Sequence, residues 1–265
     1  MQEASCEGAS ASGPSGHNLL WGRDGDSRTL GAGFRLTASS LVHWLRRPPI
    51  IVDAGRAFEP TSSDELLERA WIDARSRNSR LTDGPCWHVS GVHRNGHGGA
   101  SIHVVGTTYR MGVCRGAVAT GFVGLGMKAL AHWNGKFLVG RRSDECLGYP
   151  GCWEFAPSGA VEPGEDPARG IVRELLEECA LEVTRPPRAL AIAFDSITGN
   201  WEIVYDLQIR QPPDAPPNWE YTDLRLVDLA RMPTPYSPIT EKLLAIAHRA
   251  GVAAPQGTDH RRSRA

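Results

Sequence analysis

The chain has no apolar run approaching the ~18 residues that a membrane-crossing helix needs, so no transmembrane helix is expected. It has almost no surplus of either charge: 29 Lys and Arg stand against 30 Asp and Glu. That balance argues against a general nucleic-acid surface. The single basic cluster, His260-Arg261-Arg262-Ser263-Arg264, reads as a frayed tail. The six cysteines (Cys6, Cys86, Cys114, Cys146, Cys152, Cys179) are scattered and include no Cys-x-x-Cys pair. Such spacings support neither a zinc site nor a disulfide framework, which makes a reducing, cytoplasmic setting the default. The first residues carry no hydrophobic signal core, and Glu3 and Glu7 do not suit a transit peptide.

What is present is an ordinary globular composition, 41% hydrophobic over 265 residues, enough for one large domain or two smaller ones. Residues 1–30 are rich in Ser, Gly and Ala and are expected to be disordered. Residues 31–118 read as a smaller α+β region. Phe34 to Arg47 fits a short strand and helix, Pro48-Pro49 breaks it, and Ile50-Ile51-Val52 is a brief strand. Leu66, Leu67, Ala70, Trp71 and Ala74 have helical spacing, with Ser63 or Asp64 as N-cap. Trp87 to Val92 and Ala100 to Tyr109 flank Arg94-Asn95-Gly96, a hairpin signal. His88, His93, His97 and His103 crowd that hairpin, but alternation divides them between its faces, so they read as structural or exposed.

Residues 119–252 read as a second domain, followed by a disordered tail over 253–265. Strands are expected at Val123 to Trp133, Lys136 to Arg142, Leu190 to Phe194, Glu202 to Ile209 and Leu224 to Val227. A stiff loop over Pro212 to Pro217 and a closing helix over Ile239 to Ala250 complete the pattern. Strands on either side of a central helix, with another helix at the end, indicate an α/β sandwich.

The central helix carries the informative feature. Glu174, Glu177 and Glu178 are spaced i, i+3, i+4 and share one helical face. Val172, Leu175, Leu176 and Cys179 fall on the opposite side, with Ile171 at the border, which marks that side as core. Like charges at this spacing repel by about 0.2–0.5 kcal/mol per pair, and they sit at the negative end of the helix dipole. Arg173 offsets part of this by reaching Glu177 at i+4. Either the three form a solvated acidic face, or they gather a hard divalent cation, which takes oxygen ligands.

The stretch Gly159 to Leu181 closely resembles the signature of the Nudix hydrolases: glycine, five residues, glutamate, seven residues, then Arg-Glu-hydrophobic-any-Glu-Glu-any-Gly-hydrophobic. Gly159, Glu165, Arg173, Glu174, Leu175, Glu177, Glu178 and Leu181 occupy the pattern at the right spacing. Ala180 stands where the family has glycine; if the position needs a left-handed backbone, alanine costs about 1 kcal/mol or more there. The resemblance covers roughly residues 121 to 252, and Arg141-Arg142-Ser143 and Pro150 to Phe155 look like the family's lead-in. Residues 71 to 85 look loosely like the N-terminal extension of a branch that hydrolyses UDP-glucose.

The resemblance implies an α/β/α sandwich with a mixed sheet. It also implies a Mg²⁺- or Mn²⁺-dependent hydrolase that cuts the diphosphate linkage of a small nucleoside diphosphate derivative, an NDP-sugar being one candidate. Glu174, Glu177 and Glu178 would hold the metal, with Glu174 alternatively the base. Gly159, Glu165 and Arg173 would be structural, the last two as an ion pair tying loop to helix. Glu220 is a candidate fourth ligand or general base, with Asp223 competing for that role. Arg141 or Arg142 could pair with phosphate, one of the two facing the pocket. Trp153 and Phe155, with Trp219, are candidates to stack on a base or to serve as core. A non-catalytic nucleotide-binding sensor is the alternative function. The prenyl-diphosphate isomerase relatives need a catalytic cysteine motif that has no convincing match here. The N-terminal region could complete the pocket or mediate a homodimer.

Overall fold

The computed structural model describes residues 41–214 and 218–252. The expected disordered segment over 1–30, the start of the Phe34–Arg47 stretch, three residues of the proline loop and the basic tail lie outside the described residues. The first strand, β1 (Val42–Trp44), precedes β2 (Ile50–Ala57), helix α1 (Asp64–Arg77), the hairpin β3 (Pro85–Arg94) and β4 (Ala100–Thr108), and a short α2 (Tyr109–Cys114). Then follow β5 (Gly124–Trp133), β6 (Lys136–Arg142), β7 (Trp153–Phe155), β8 (Ser158–Ala160) and α3 (Pro167–Cys179). Strands β9 (Arg188–Asp195), β10 (Asn200–Gln208) and β11 (Tyr221–Val227) lead to α4 (Thr240–Ala250). Where the sequence pattern allows a helix before Pro48, the described part forms β1. The strand expected to run to Tyr109 stops at Thr108 and turns into α2.

Among the described residues all eleven strands join one mixed sheet, ordered β1-β9-β10-β5-β3-β4-β2, with β6, β7, β8 and β11 branching from β5 and β6. Pairs β10–β5 and β2–β4 are parallel, and the other pairings are antiparallel. The N-terminal segment therefore supplies both ends of the ordered path. Strand β5 is the axis, with Gly124 to His132 buried throughout, as a strand covered on both faces must be.

Strand alternation sorts the core into two layers. Leu125, Met127, Ile203, Tyr205 and Ile192 pack on the face covered by Ile171, Leu175 and Cys179 of α3. Leu130, Val204, Ala191 and Ala193 meet Leu243, Ile246 and Ala247 of α4 on the other. This is the expected α/β/α sandwich. A third cluster joins α1 and α2 through Leu67, Trp71, Met111 and Cys114.

Helix α3 begins where Asp166 accepts the Ala168 amide at 3.0 Å and Pro167 opens the first turn. It ends at Ala180, which adopts a left-handed backbone (φ 53°, ψ 37°). Its buried side is Gly170, Ile171, Leu175, Glu178 and Cys179, whereas Leu176 is 57% exposed. The apolar face expected from the sequence was thus turned by part of a helical step: Ile171 is central rather than marginal, and one glutamate points inward.

The sheet splits beside β5. Strand β6 pairs with β5 only at His132 and Trp133, while β8 pairs with Gly126, Met127 and Lys128. That opening brings the end of α3, β7 and the loop before β11 together.

Candidate functional site

Glu174, Glu177, Glu178, Asn218, Trp219 and Glu220 line one cleft of about 190 Å³. The last two turns of α3 supply three carboxylates and the loop before β11 supplies the fourth. Asn218 fixes this juncture: its amide donates to the Glu178 carbonyl at 2.6 Å, and its side-chain oxygen accepts the amides of Glu220 and Tyr221 at 2.9 and 2.8 Å. Ser143 adds two contacts to the same loop. Its hydroxyl donates to the Trp219 carbonyl at 2.6 Å and its amide to the Glu220 carbonyl at 2.7 Å. Trp219 stays 50% exposed at the rim.

The signature residues have separate physical jobs. A Cβ on Gly159 would lie 2.4 Å from Glu174 Oε1, so glycine leaves the space that this carboxylate fills. Arg173 forms a two-pronged bond to Glu165, Nε to Oε1 at 3.0 Å and Nη2 to Oε2 at 3.1 Å. Its third nitrogen, Nη1, is 3.0 Å from both Glu174 Oε1 and Glu177 Oε2. The loop and the helix end are thereby tied through one guanidinium.

Charge in the cleft is nevertheless under-compensated. Burial, opposed in part by Arg173 and reinforced by Glu177 and Glu220, pushes Glu174 up to about 7. Burial and the adjacent Glu220, with which it shares a hydrogen bond, raise Glu178 well above the usual carboxylate range. Among the described residues, no three Asp, Glu, His or Cys side chains stand in a ready-made metal-binding arrangement. The acids are instead held by protein partners: Glu174 and Glu177 by Arg173, and Glu178 by the Ser158 amide at 3.3 Å. The donor set itself, four carboxylates short of positive charge at one cleft, fits a hard divalent cation.

Residues 129–245 match the family model described as NUDIX domain. These residues form a NUDIX domain. Solved structures similar to the chain include the MutT NUDIX hydrolase of Burkholderia pseudomallei, at 22% identity and TM-score 0.40, covering 46% of this chain and 95% of that one. A NUDIX hydrolase of Nitrosomonas europaea matches at 21% identity and TM-score 0.40, covering 49% and 73%. A bifunctional NMN adenylyltransferase/ADP ribose pyrophosphatase of Francisella tularensis, complexed with AMP and manganese, matches at 18% identity and TM-score 0.41, covering 48% and 42%. A comparison with curated proteins gives no match.

Within the NUDIX domain, several residues expected at the site are committed elsewhere. Trp153 (6% exposed) and Phe155 (0%) pack in the α4-side core, so neither lines the acidic cleft. Only Glu154 between them points toward the site. Arg142 is bound to Glu154 at 2.9 Å and to the Gly148 carbonyl at 2.9 Å, with Tyr221 beside it. Arg141 is exposed and donates to the Gly151 carbonyl at 3.3 Å. Asp223 pairs with Arg225, leaving Glu220 as the carboxylate that faces the glutamates.

Lys128, Glu154, Ser158, Asn218 and Ser143 had no assigned role at the sequence level. Lys128 bonds Glu154 at 2.8 Å, and Ser158 donates from its amide to Glu178 at 3.3 Å and from its hydroxyl to Glu154 at 3.4 Å. A lone lysine inside the apolar Gly124–Ala131 run was the available signal, because a buried cation requires a buried partner.

Proposed function

We propose that this chain is a divalent-metal-dependent hydrolase that cleaves the diphosphate linkage of a nucleoside diphosphate derivative, an NDP-sugar among the candidates. The observation that carries the reading is the convergence of Glu174, Glu177, Glu178 and Glu220 on one cleft with too little positive charge to balance them. Glu174, Glu177 and Glu178 would hold Mg²⁺ or Mn²⁺. A bound ion of this kind neutralises phosphate charge and lowers the pKa of water.

The protein's own contribution is positioning, which dominates phosphoryl chemistry. Arg173 orients Glu174 and Glu177 while anchoring the preceding loop through Glu165. Glu220, on a loop pinned by Asn218 and Ser143, stands opposite the helix and accepts the proton of the attacking water at its carboxylate. Arg142 is consumed by Glu154, so it organises the cleft wall instead of gripping phosphate.

The test is product analysis on a panel of nucleotide sugars, dinucleotides and coenzyme A with added Mg²⁺ or Mn²⁺. Release of a nucleoside monophosphate that stops on chelation is expected. Tight nucleotide binding with no turnover across the panel would replace this reading with a non-catalytic sensor.

A further inference from the structure

A second polar cluster lies on the α4-side sheet face, beyond the part that α4 covers. Alternation puts Asp195 of β9, Asn200 and Glu202 of β10, and Gly124, Gly126 and Lys128 of β5 on this one face, the same face as Ala193, Val204 and Leu130. The two glycines matter there. A Cβ on Gly126 would lie 2.2 Å from Glu202 Oε2, and one on Gly124 would lie 2.6 Å from Asn200 Oδ1. Both side chains therefore lie flat across β5 where larger residues would exclude them.

Arg115, at the end of α2, reaches into this cluster from the N-terminal segment. Its Nη1 donates to Asn200 Oδ1 at 2.9 Å and its guanidinium lies 5.7 Å from the Phe122 ring centre. Among the described residues it makes no other hydrogen bond and no ion pair, so most of its five donors are uncommitted. Burial lowers its proton affinity in spite of the opposing influence of Asp195 and Glu202, a sign that its charge is poorly compensated. Glu202 is 5% exposed and, mainly through burial, is raised to about 7. Asp195 is already used by the Tyr149 hydroxyl at 2.5 Å and by the amide of Ile197 at 3.0 Å.

The cluster is continuous with the acidic cleft. From Glu178 the path runs through Ser158 to Glu154 and Lys128, and Lys128 is two residues along β5 from Gly126, over which Glu202 lies.

We propose that Arg115, Asn200 and Glu202 form a specificity subsite for the uncharged, hydrogen-bonding end of the substrate, a nucleobase edge or a sugar, with the N-terminal segment supplying the arginine. Guanidinium and amide groups offer donors, and the carboxyl group offers an acceptor or, when protonated, both. A group with donors and acceptors of its own satisfies that set, whereas an apolar group leaves it unpaired. The inference rests on the hydrolase reading for its activity test and can be separated from it by binding.

The experiment compares wild type with Arg115→Gln, Arg115→Lys and Glu202→Gln, with Mg²⁺, on UDP-glucose, UDP-galactose, ADP-glucose and ADP-ribose. For the preferred substrate, Arg115→Gln is expected to raise KM about ten- to hundredfold with kcat within about threefold, and Arg115→Lys to recover part of that. Glu202→Gln should change the ranking of the panel. A flattened choice between UDP-glucose and UDP-galactose assigns the subsite to the sugar; a flattened choice between UDP-glucose and ADP-glucose assigns it to the base. An unchanged KM and unchanged ranking in folded variants overturns the inference, as does a loss of thermal stability with affinity intact. If wild type turns over nothing, the hydrolase reading fails on its own. Titration calorimetry with UDP-glucose and ADP-ribose then decides the subsite: weaker binding by Arg115→Gln upholds it, and equal binding or none by wild type overturns it.

Discussion

Glu154 and Glu178 are bridged by one serine and are almost equally buried, at 1% and 6% exposed, yet they hold protons with opposite strength. For Glu154, burial alone would raise the proton affinity, but Lys128 and Arg142 outweigh it and hold the carboxyl at about 2. For Glu178, burial acts in the same direction, no cation among the described residues pairs with it, and Glu220 adds like charge. The difference is therefore supplied by partners and not by depth. It separates a carboxylate whose counter-charge is built into the fold from one that is paired with no cation among the described residues.

Removing charge at the two positions should break this comparison in opposite ways. Glu154→Gln leaves Lys128 and Arg142 buried without their anion, and is expected to destabilise the protein by about 3–5 kcal/mol, read by urea or thermal unfolding. Glu178→Gln relieves an uncompensated charge, so its unfolding midpoint without metal should be equal to or above that of wild type. Its kcat should fall by about 10²–10³ or more, and the stabilisation that Mg²⁺ gives to wild type should shrink or vanish. A Glu178→Gln protein that keeps full activity and its Mg²⁺ response would remove the cation from the argument.

A subtler version of the contrast is pH dependence. Glu202 is raised from 4.5 to about 7, chiefly by burial. Between these values the native state binds more protons than the unfolded state, so its contribution to stability is full below 4.5 and declines as pH rises through 7. Glu154 behaves the other way: lowered from 4.5 to about 2, it contributes above 4.5 and loses that contribution as pH falls toward 2. In chelator, Glu202→Gln should flatten the decline across pH 4.5–7, by at most about 1.4 kcal/mol per pH unit for a single proton. Unfolding curves of wild type and variant at several pH values measure it, and superimposable slopes would sink the assignment.

The local parts of the site were legible in the sequence because they repeat at short spacing. The i, i+3, i+4 glutamates, the Arg173–Glu165 tie and the Asn95-Gly96 hairpin signal each depend on neighbours within a few residues. What escaped was the orientation of α3, since Leu176 and Ile171 are equally apolar and only the sheet decides which one is buried. Lys128, Glu154 and Ser158 also escaped: they meet because β5 abandons β6 for β8, a pairing between segments about 30 residues apart. Trp153 and Phe155 read from the sequence as stacking or core aromatics alike, and the two-residue repeat of β7 turns both into the α4-side core.

The smallest expected effect concerns Ala180, the one departure from the signature pattern. At φ 53° its Cβ is held close to the backbone in a region that glycine enters without penalty. The position is needed because its amide closes the end of α3 onto the carbonyls of Leu175 and Leu176, one residue before Leu181 enters the core. Glycine also gains more entropy in the unfolded chain, which offsets part of the relief. Ala180→Gly is therefore expected to stabilise by roughly 0.5–1 kcal/mol, read as a higher unfolding midpoint with unchanged denaturant dependence. If Ala180→Gly lowers the midpoint instead, the helix end is not left-handed, and the placement of Glu177 and Glu178 beside Asn218 loses its support.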